Sequence, residues 1–211
     1  MPIPHSPDKD STYLWNPPPV PSLPVRGQRE RYPVNRLFFV GRNYHAHALE
    51  MSRPVDKAND RPFYFTKSVT TLVESGATVA YPPEMTNYHY EMELVVAIGT
   101  AGFRVKAAAA HQLIYGYACG LDLTRRDLQL AARDKGRPWD LGKDIEGGSV
   151  VAEIVPMQGA VLDQGELVMT VNGQPRTLAA QAEFLKAADQ LPNVPASFEP
   201  YVDSSFLAKM I

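Results

Sequence analysis

The run from Asn87 to Ile98 (Asn-Tyr-His-Tyr-Glu-Met-Glu-Leu-Val-Val-Ala-Ile), closed by Gly99, constrains the fold more than any other stretch. Aromatic and β-branched residues crowd it and no proline interrupts it, so it predicts a long strand. Strand geometry sends residues i and i+2 to the same face. Glu91 and Glu93 therefore project together, beside apolar Leu94, Val95, Val96 and Ile98. Two carboxylates held close repel each other unless a cation or a shared proton relieves them. A hard divalent ion does so through oxygen ligands, and magnesium typically keeps water at its remaining positions. A solvated strand face would account for the same pair.

The other strand signals are Arg36 to Val40 before Gly41, Phe63 to Lys67, Thr78 to Tyr81 stopped by Pro82-Pro83, and Ile114 to Leu123. Ser149 to Val155 and Glu166 to Val171 follow, with Asn172-Gly173 as a type I′ hairpin signal. Helices are few. His45 to Met51 suits a helix turn, and 105–114 a helix on its alanine content. Thr124 opens another, spaced from Asp127 like a capping box and stopped by Gly136. The pattern is α+β and β-rich. Nine of the 19 prolines lie in residues 1–34, which makes that stretch an extended arm, either a tail or a strap over a neighbouring subunit. The expected organisation is this arm, a domain over 35–177 and a tail over 178–211, within which 178–190 is helix-prone.

Composition narrows the function classes. Over 211 residues, 21 basic against 23 acidic side chains leave a formal charge of −2, so nothing favours a nucleic-acid or anionic-membrane partner. The single cysteine, Cys119, excludes an internal disulfide and a thiolate zinc cluster. No apolar run approaches the roughly 20 residues of a membrane helix, and the opening lacks a signal-peptide layout. A cytoplasmic setting is expected.

Asp122 follows an apolar strand and precedes a helix start, where site residues gather, though it would also serve as a cap. With Glu91 and Glu93 it gives three oxygen ligands suited to magnesium or manganese. His47 and Glu50 share one helical face, and a carboxylate beside an imidazole makes a general base for water, or simply an exposed pair. Lys67 and Lys143 can hold a substrate carboxylate or an oxyanion; as lone lysines they suit a surface as well.

The order of several motifs resembles the fumarylacetoacetate hydrolase family, nearest its acylpyruvate and fumarylpyruvate hydrolases. The stretches are Val40-Gly41-Arg42-Asn43-Tyr44 with His47-Ala48 and Glu50-Met51, then Phe63-Tyr64-Phe65-Thr66-Lys67, then His89 to Gly99. Leu121-Asp122-Leu123-Thr124-Arg125-Arg126-Asp127-Leu128-Gln129 follows, then Lys135-Gly136-Arg137-Pro138-Trp139, Gly142-Lys143 and Val171-Asn172-Gly173.

The resemblance implies the family's mixed β-roll and a homodimer. It also implies Mg²⁺ or Mn²⁺ on Glu91, Glu93 and Asp122, with His47 and Glu50 as the water-activating dyad. Lys143 matches the lysine near the metal; Lys67, Arg126 and Gln129 match pocket side chains that bind substrate. The implied reaction is hydrolytic carbon–carbon cleavage of a 1,3-diketo acid such as fumarylpyruvate. The alternatives are an oxaloacetate-type decarboxylase or tautomerase, and an inactive relative serving as an interaction module. Beyond Arg176 the family's Pro-Gly-Asp turn and Thr-Gly-Thr-Pro loop do not occur, which makes the C-terminus atypical or truncated.

Overall fold

The computed structural model describes residues 12–41, 43, 61–85, 87–162, 165, 167–172 and 174–178. In chain order its elements are β1 (Ser22–Leu23), β2 (Tyr32–Pro33), β3 (Leu37–Gly41), β4 (Phe63–Lys67), β5 (Leu72–Glu74), β6 (Tyr88–Ile98) and β7 (Ile114–Arg125). Then come α1 (Arg126–Asp134), α2 (Asp140–Lys143), β8 (Ser149–Val151), β9 (Val155–Pro156), β10 (Leu167–Val171) and β11 (Gln174–Leu178). The main sheet runs β5-β8-β7-β6, with β9 also on β7. β5 lies parallel to β8 and the other pairs are antiparallel. β1–β2, β3–β4 and β10–β11 form separate two-stranded ribbons. Among the described residues no helix is long and apolar enough to cross a membrane.

β7 is the centre because both its edges are paired and nearly every residue along it is buried. Its partnership with β6 runs in register from Tyr88 opposite Arg125 to Ala97 opposite Gly116, and slips by a bulge before Ile98. One face of this pair is apolar. Met92, Cys119, Leu121 and Leu123 pack there with Val150, Ile145 and Met169. The other face is divided. At one end Ala97, Ala118 and Val151 meet Leu23, Val25, Val34 and Ile154, so residues 21–34 of the proline-rich stretch are tied into the core. At the other end stand Glu91, Asp122, Thr124 and Ser149, side by side across three strands.

Three local expectations are corrected. Thr78 to Tyr81 is not a strand; the strand in this region is β5, whose ladder partner is β8, and the Tyr81 ring packs edge-on to Tyr88 at 5.4 Å. The alanine-rich stretch tightens into a 3-10 turn, Ala107–Leu113, leading straight into β7. Thr124 does not cap a helix, because β6 continues the ladder opposite it and β7 runs on to Arg125. α1 begins at Arg126 without a side-chain cap. Its end is as expected. Gly136, with φ of 62°, donates to Arg133 O and Arg137 N to Ala132 O, the paired bonds of a Schellman stop. The proposed helix turn at 45–51 and the helix-prone 178–190 lie outside the described residues.

Candidate active site

The register of β6 against β7 places Glu91 directly opposite Asp122. Directly opposed residues share a face, so the two carboxylates meet. Two lysines from other elements reach this point. Lys143, the last residue of α2, sets Nζ 2.6 Å from Glu91 Oε2, 2.6 Å from Asp122 Oδ2 and 2.8 Å from Thr124 Oγ1. Lys67, the last residue of β4, sets Nζ 2.6 Å from Asp122 Oδ1 and donates to the carbonyls of Leu123 at 3.0 Å and Gly148 at 2.7 Å. An ammonium has three donors. Lys143 has all three engaged; Lys67 spends two on carbonyls and meets Asp122 as an ion pair.

Arg126, at the start of α1, forms an ion pair with Glu91 Oε1, lies 3.2 Å from His89 Nδ1 and donates to Gln129 Oε1 at 2.5 Å. Its position follows from the helix starting where the strand stops. Lys67, Asp122, Thr124, Arg126, Gln129 and Lys143 are each at most 4% exposed. Burying charge this deeply requires pairing, since breaking a buried pair by removing one partner costs about 3–5 kcal/mol. Burial pushes the Asp122 carboxyl upward, against the pull of Lys143 and Lys67. Burial likewise lowers Lys67, against the pull of Asp122.

Packing holds α2 in place. A Cβ at Gly142 would stand 2.8 Å from Gln129 N, so only glycine lets α2 lie this close to α1. Trp139 meets Phe63 edge-on at 5.5 Å and tilts against Phe65 at 5.8 Å. Phe65 stacks on Phe39 and lies 4.9 Å from Lys143 Nζ. The β3–β4 ribbon thus backs the ionic cluster.

The structure brings together six of the nine expected site residues, Lys67, Glu91, Asp122, Arg126, Gln129 and Lys143. Glu93 stands one step along β6 on the same face, half-buried opposite Gly120. Among the described residues no third acidic, histidine or cysteine side chain joins Glu91 and Asp122 in a ready metal cage. The donor set still fits a hard divalent cation, because it consists of carboxylate oxygens and two of them already converge on one positive atom. His47 and Glu50 lie outside the described residues. Sequence reasoning missed Thr124 as a partner of Lys143. The signal was its spacing from Asp122, two residues along one strand face.

The family profile described as fumarylacetoacetate (FAA) hydrolase C-terminal matches residues 36–191. The chain is 73% identical over 124 residues to a fumarylpyruvate hydrolase of a Ralstonia species, covering 59% of this chain and 65% of that relative. It is 34% identical over 142 residues to a mitochondrial oxaloacetate tautomerase of Caenorhabditis elegans, covering 67% of this chain and 65% of the relative. The crystal structure of fumarylpyruvate hydrolase from Pseudomonas aeruginosa in complex with Mn²⁺ and pyruvate superposes with a TM-score of 0.72. That match has 35% identity and covers 82% of this chain and 80% of that one. The chain spans just under two thirds of the length of the two curated relatives.

Proposed function

Because this chain belongs to the fumarylacetoacetate hydrolase family, we propose that it hydrolyses the carbon–carbon bond of a fumarylpyruvate-like acylpyruvate, releasing pyruvate and a carboxylic acid. The observation that carries this reading is the convergence of Glu91 and Asp122 on a single positive charge at the buried end of β6 and β7.

Glu91, Glu93 and Asp122 would hold Mg²⁺ or Mn²⁺, whose contribution is Lewis-acid stabilisation of the enolate charge. His47, oriented by Glu50, takes a proton from water as the water oxygen bonds to the distal carbonyl carbon. The carbon–carbon bond then breaks, the electron pair leaves with the pyruvate fragment as its enolate, and a proton on carbon completes the product. Gln129 and Lys143 border the place where the tetrahedral oxyanion forms, and one such donor contributes about 3 kcal/mol. Arg126, paired with Glu91, would meet a substrate carboxylate; Lys67 fixes Asp122 from behind.

Charge balance supports a doubly anionic substrate. Lys67, Lys143 and Arg126 equal Glu91, Asp122 and Glu93 in number, so a divalent ion would leave two positive charges for the substrate to neutralise.

The test is loss of the diketo-enol ultraviolet band over a panel of acylpyruvates. Mg²⁺ or Mn²⁺ should support turnover, EDTA should abolish it, and fumarylpyruvate should outpace monoanionic acylpyruvates. Turnover undiminished by EDTA would overturn the metal-dependent reading. The 34% identity to an oxaloacetate tautomerase favours, as a second reading, enolisation or decarboxylation of a related keto acid at the same carboxylates. Interconversion of keto and enol forms, or carbon dioxide release, without cleavage into two acids would select it.

A further inference from the structure

Of the two buried lysines, one is anchored and the other is not. Lys67 Nζ is held by two main-chain carbonyls, Leu123 O and Gly148 O, that belong to the sheet and its adjoining turn. Lys143 Nζ has side-chain acceptors alone: Glu91 Oε2, Asp122 Oδ2 and Thr124 Oγ1. It sits on a single helical turn. The remaining oxygens of the two carboxylates face other cations, Glu91 Oε1 meeting Arg126 and Asp122 Oδ1 meeting Lys67. The pair of oxygens that would bridge Glu91 and Asp122 to a divalent ion is thus the pair that Lys143 grips.

We propose that Lys143 is a built-in counter-ion that competes with the divalent cation for Glu91 Oε2 and Asp122 Oδ2. With no metal bound, its ammonium relieves the repulsion between the two carboxylates and, with Arg126 and Lys67, balances their charge. When a metal binds, it displaces the ammonium from at least one of these oxygens and frees a donor at the site. Occupancy by metal therefore readies Lys143 for the substrate oxyanion, and the empty site withholds it. Lys67 cannot take this part, because leaving Asp122 would not release it from its carbonyls. The inference rests on the metal-dependent reading above.

Calorimetric titration of Mn²⁺ into the full chain tests it, with Lys143→Met, Lys143→Gln and Lys67→Met beside the wild type. Removing the competitor should tighten Mn²⁺ binding at least tenfold in Lys143→Met and less in Lys143→Gln, which retains an amide donor. Lys67→Met makes the same charge change at the other Asp122 oxygen and should tighten binding far less. Where Lys143→Met does not fold alone, Lys143→Gln read by the Mn²⁺-dependent rise in Tm decides, and a larger rise than in wild type is expected. Equal affinities in wild type and the Lys143 variants, or equal tightening in Lys143→Met and Lys67→Met, would overturn the counter-ion role and leave the hydrolase reading standing. Failure of all four proteins to take up Mn²⁺ would overturn both.

Discussion

The two faces of the β6–β7 pair are built from the same alternating residues and put to opposite uses. On one, Met92, Leu121 and Leu123 are sealed among apolar neighbours. On the other, displaced by one residue along each strand, Glu91, Asp122 and Thr124 are just as deeply buried but held by ammonium and guanidinium groups. The apolar face draws its stability from area removed from water, which is non-directional and tolerant of repacking. The ionic face has no such tolerance, since each charge removed strands its partners. A fold can afford the second only because the first, on the far side of the same strands, supplies the cohesion.

Asp122→Ala attacks the ionic face hardest, because it strands Lys67 and Lys143 together. We expect a loss of about 3–5 kcal/mol in denaturant titration and loss of acylpyruvate cleavage and of Mn²⁺ binding. Leu123→Ala is the counterpart on the apolar face, at a residue with no exposure. It should cost about 2–5 kcal/mol while leaving activity per folded molecule near wild type, and a comparable loss of specific activity would break the separation between the faces. Gly142→Ala tests the support of Lys143. The added methyl must push α2 from α1, with about 1–3 kcal/mol lost and kcat lowered more than KM is raised.

The smallest effect belongs to Tyr88, whose hydroxyl is buried on the apolar side without a hydrogen-bond partner among the described residues. Burial raises its pKa to about 12 from 10.0. The folded state therefore holds this proton more tightly than the unfolded chain, and stability present below pH 10 is lost as pH rises towards 12. Melting curves should show Tyr88→Phe losing less than wild type over that interval.

The faces were legible to different degrees. The aromatic and β-branched run from Asn87 to Ile98 predicted β6 to within one residue, and strand geometry placed Glu91 and Glu93 on one side. The grouping of Glu91 with Asp122 was expected from residue type and position, but the register that sets them directly opposite was not legible, because register belongs to the pair of strands and to neither alone. The acceptors of Lys67 are main-chain carbonyls 56 and 81 residues away, and no side-chain pattern announces those. Thr124 looked like a cap because Thr-x-x-Asp is a helix-start spacing. Ladder bonds to β6 took precedence, and the hydroxyl went to Lys143 instead. Thr78 to Tyr81 had strand propensity without a partner, which propensity alone cannot reveal.

Cys119 lies midway along β7 on the apolar face, buried, with its thiol pushed up by that burial. A reagent that needs an exposed thiolate can reach it only after the central ladder parts. The chain therefore carries its own clock: the rate at which its one thiol is alkylated measures how often the heart of the sheet opens, and slower labelling in the presence of a ligand would register that ligand's grip on strands far from any surface probe.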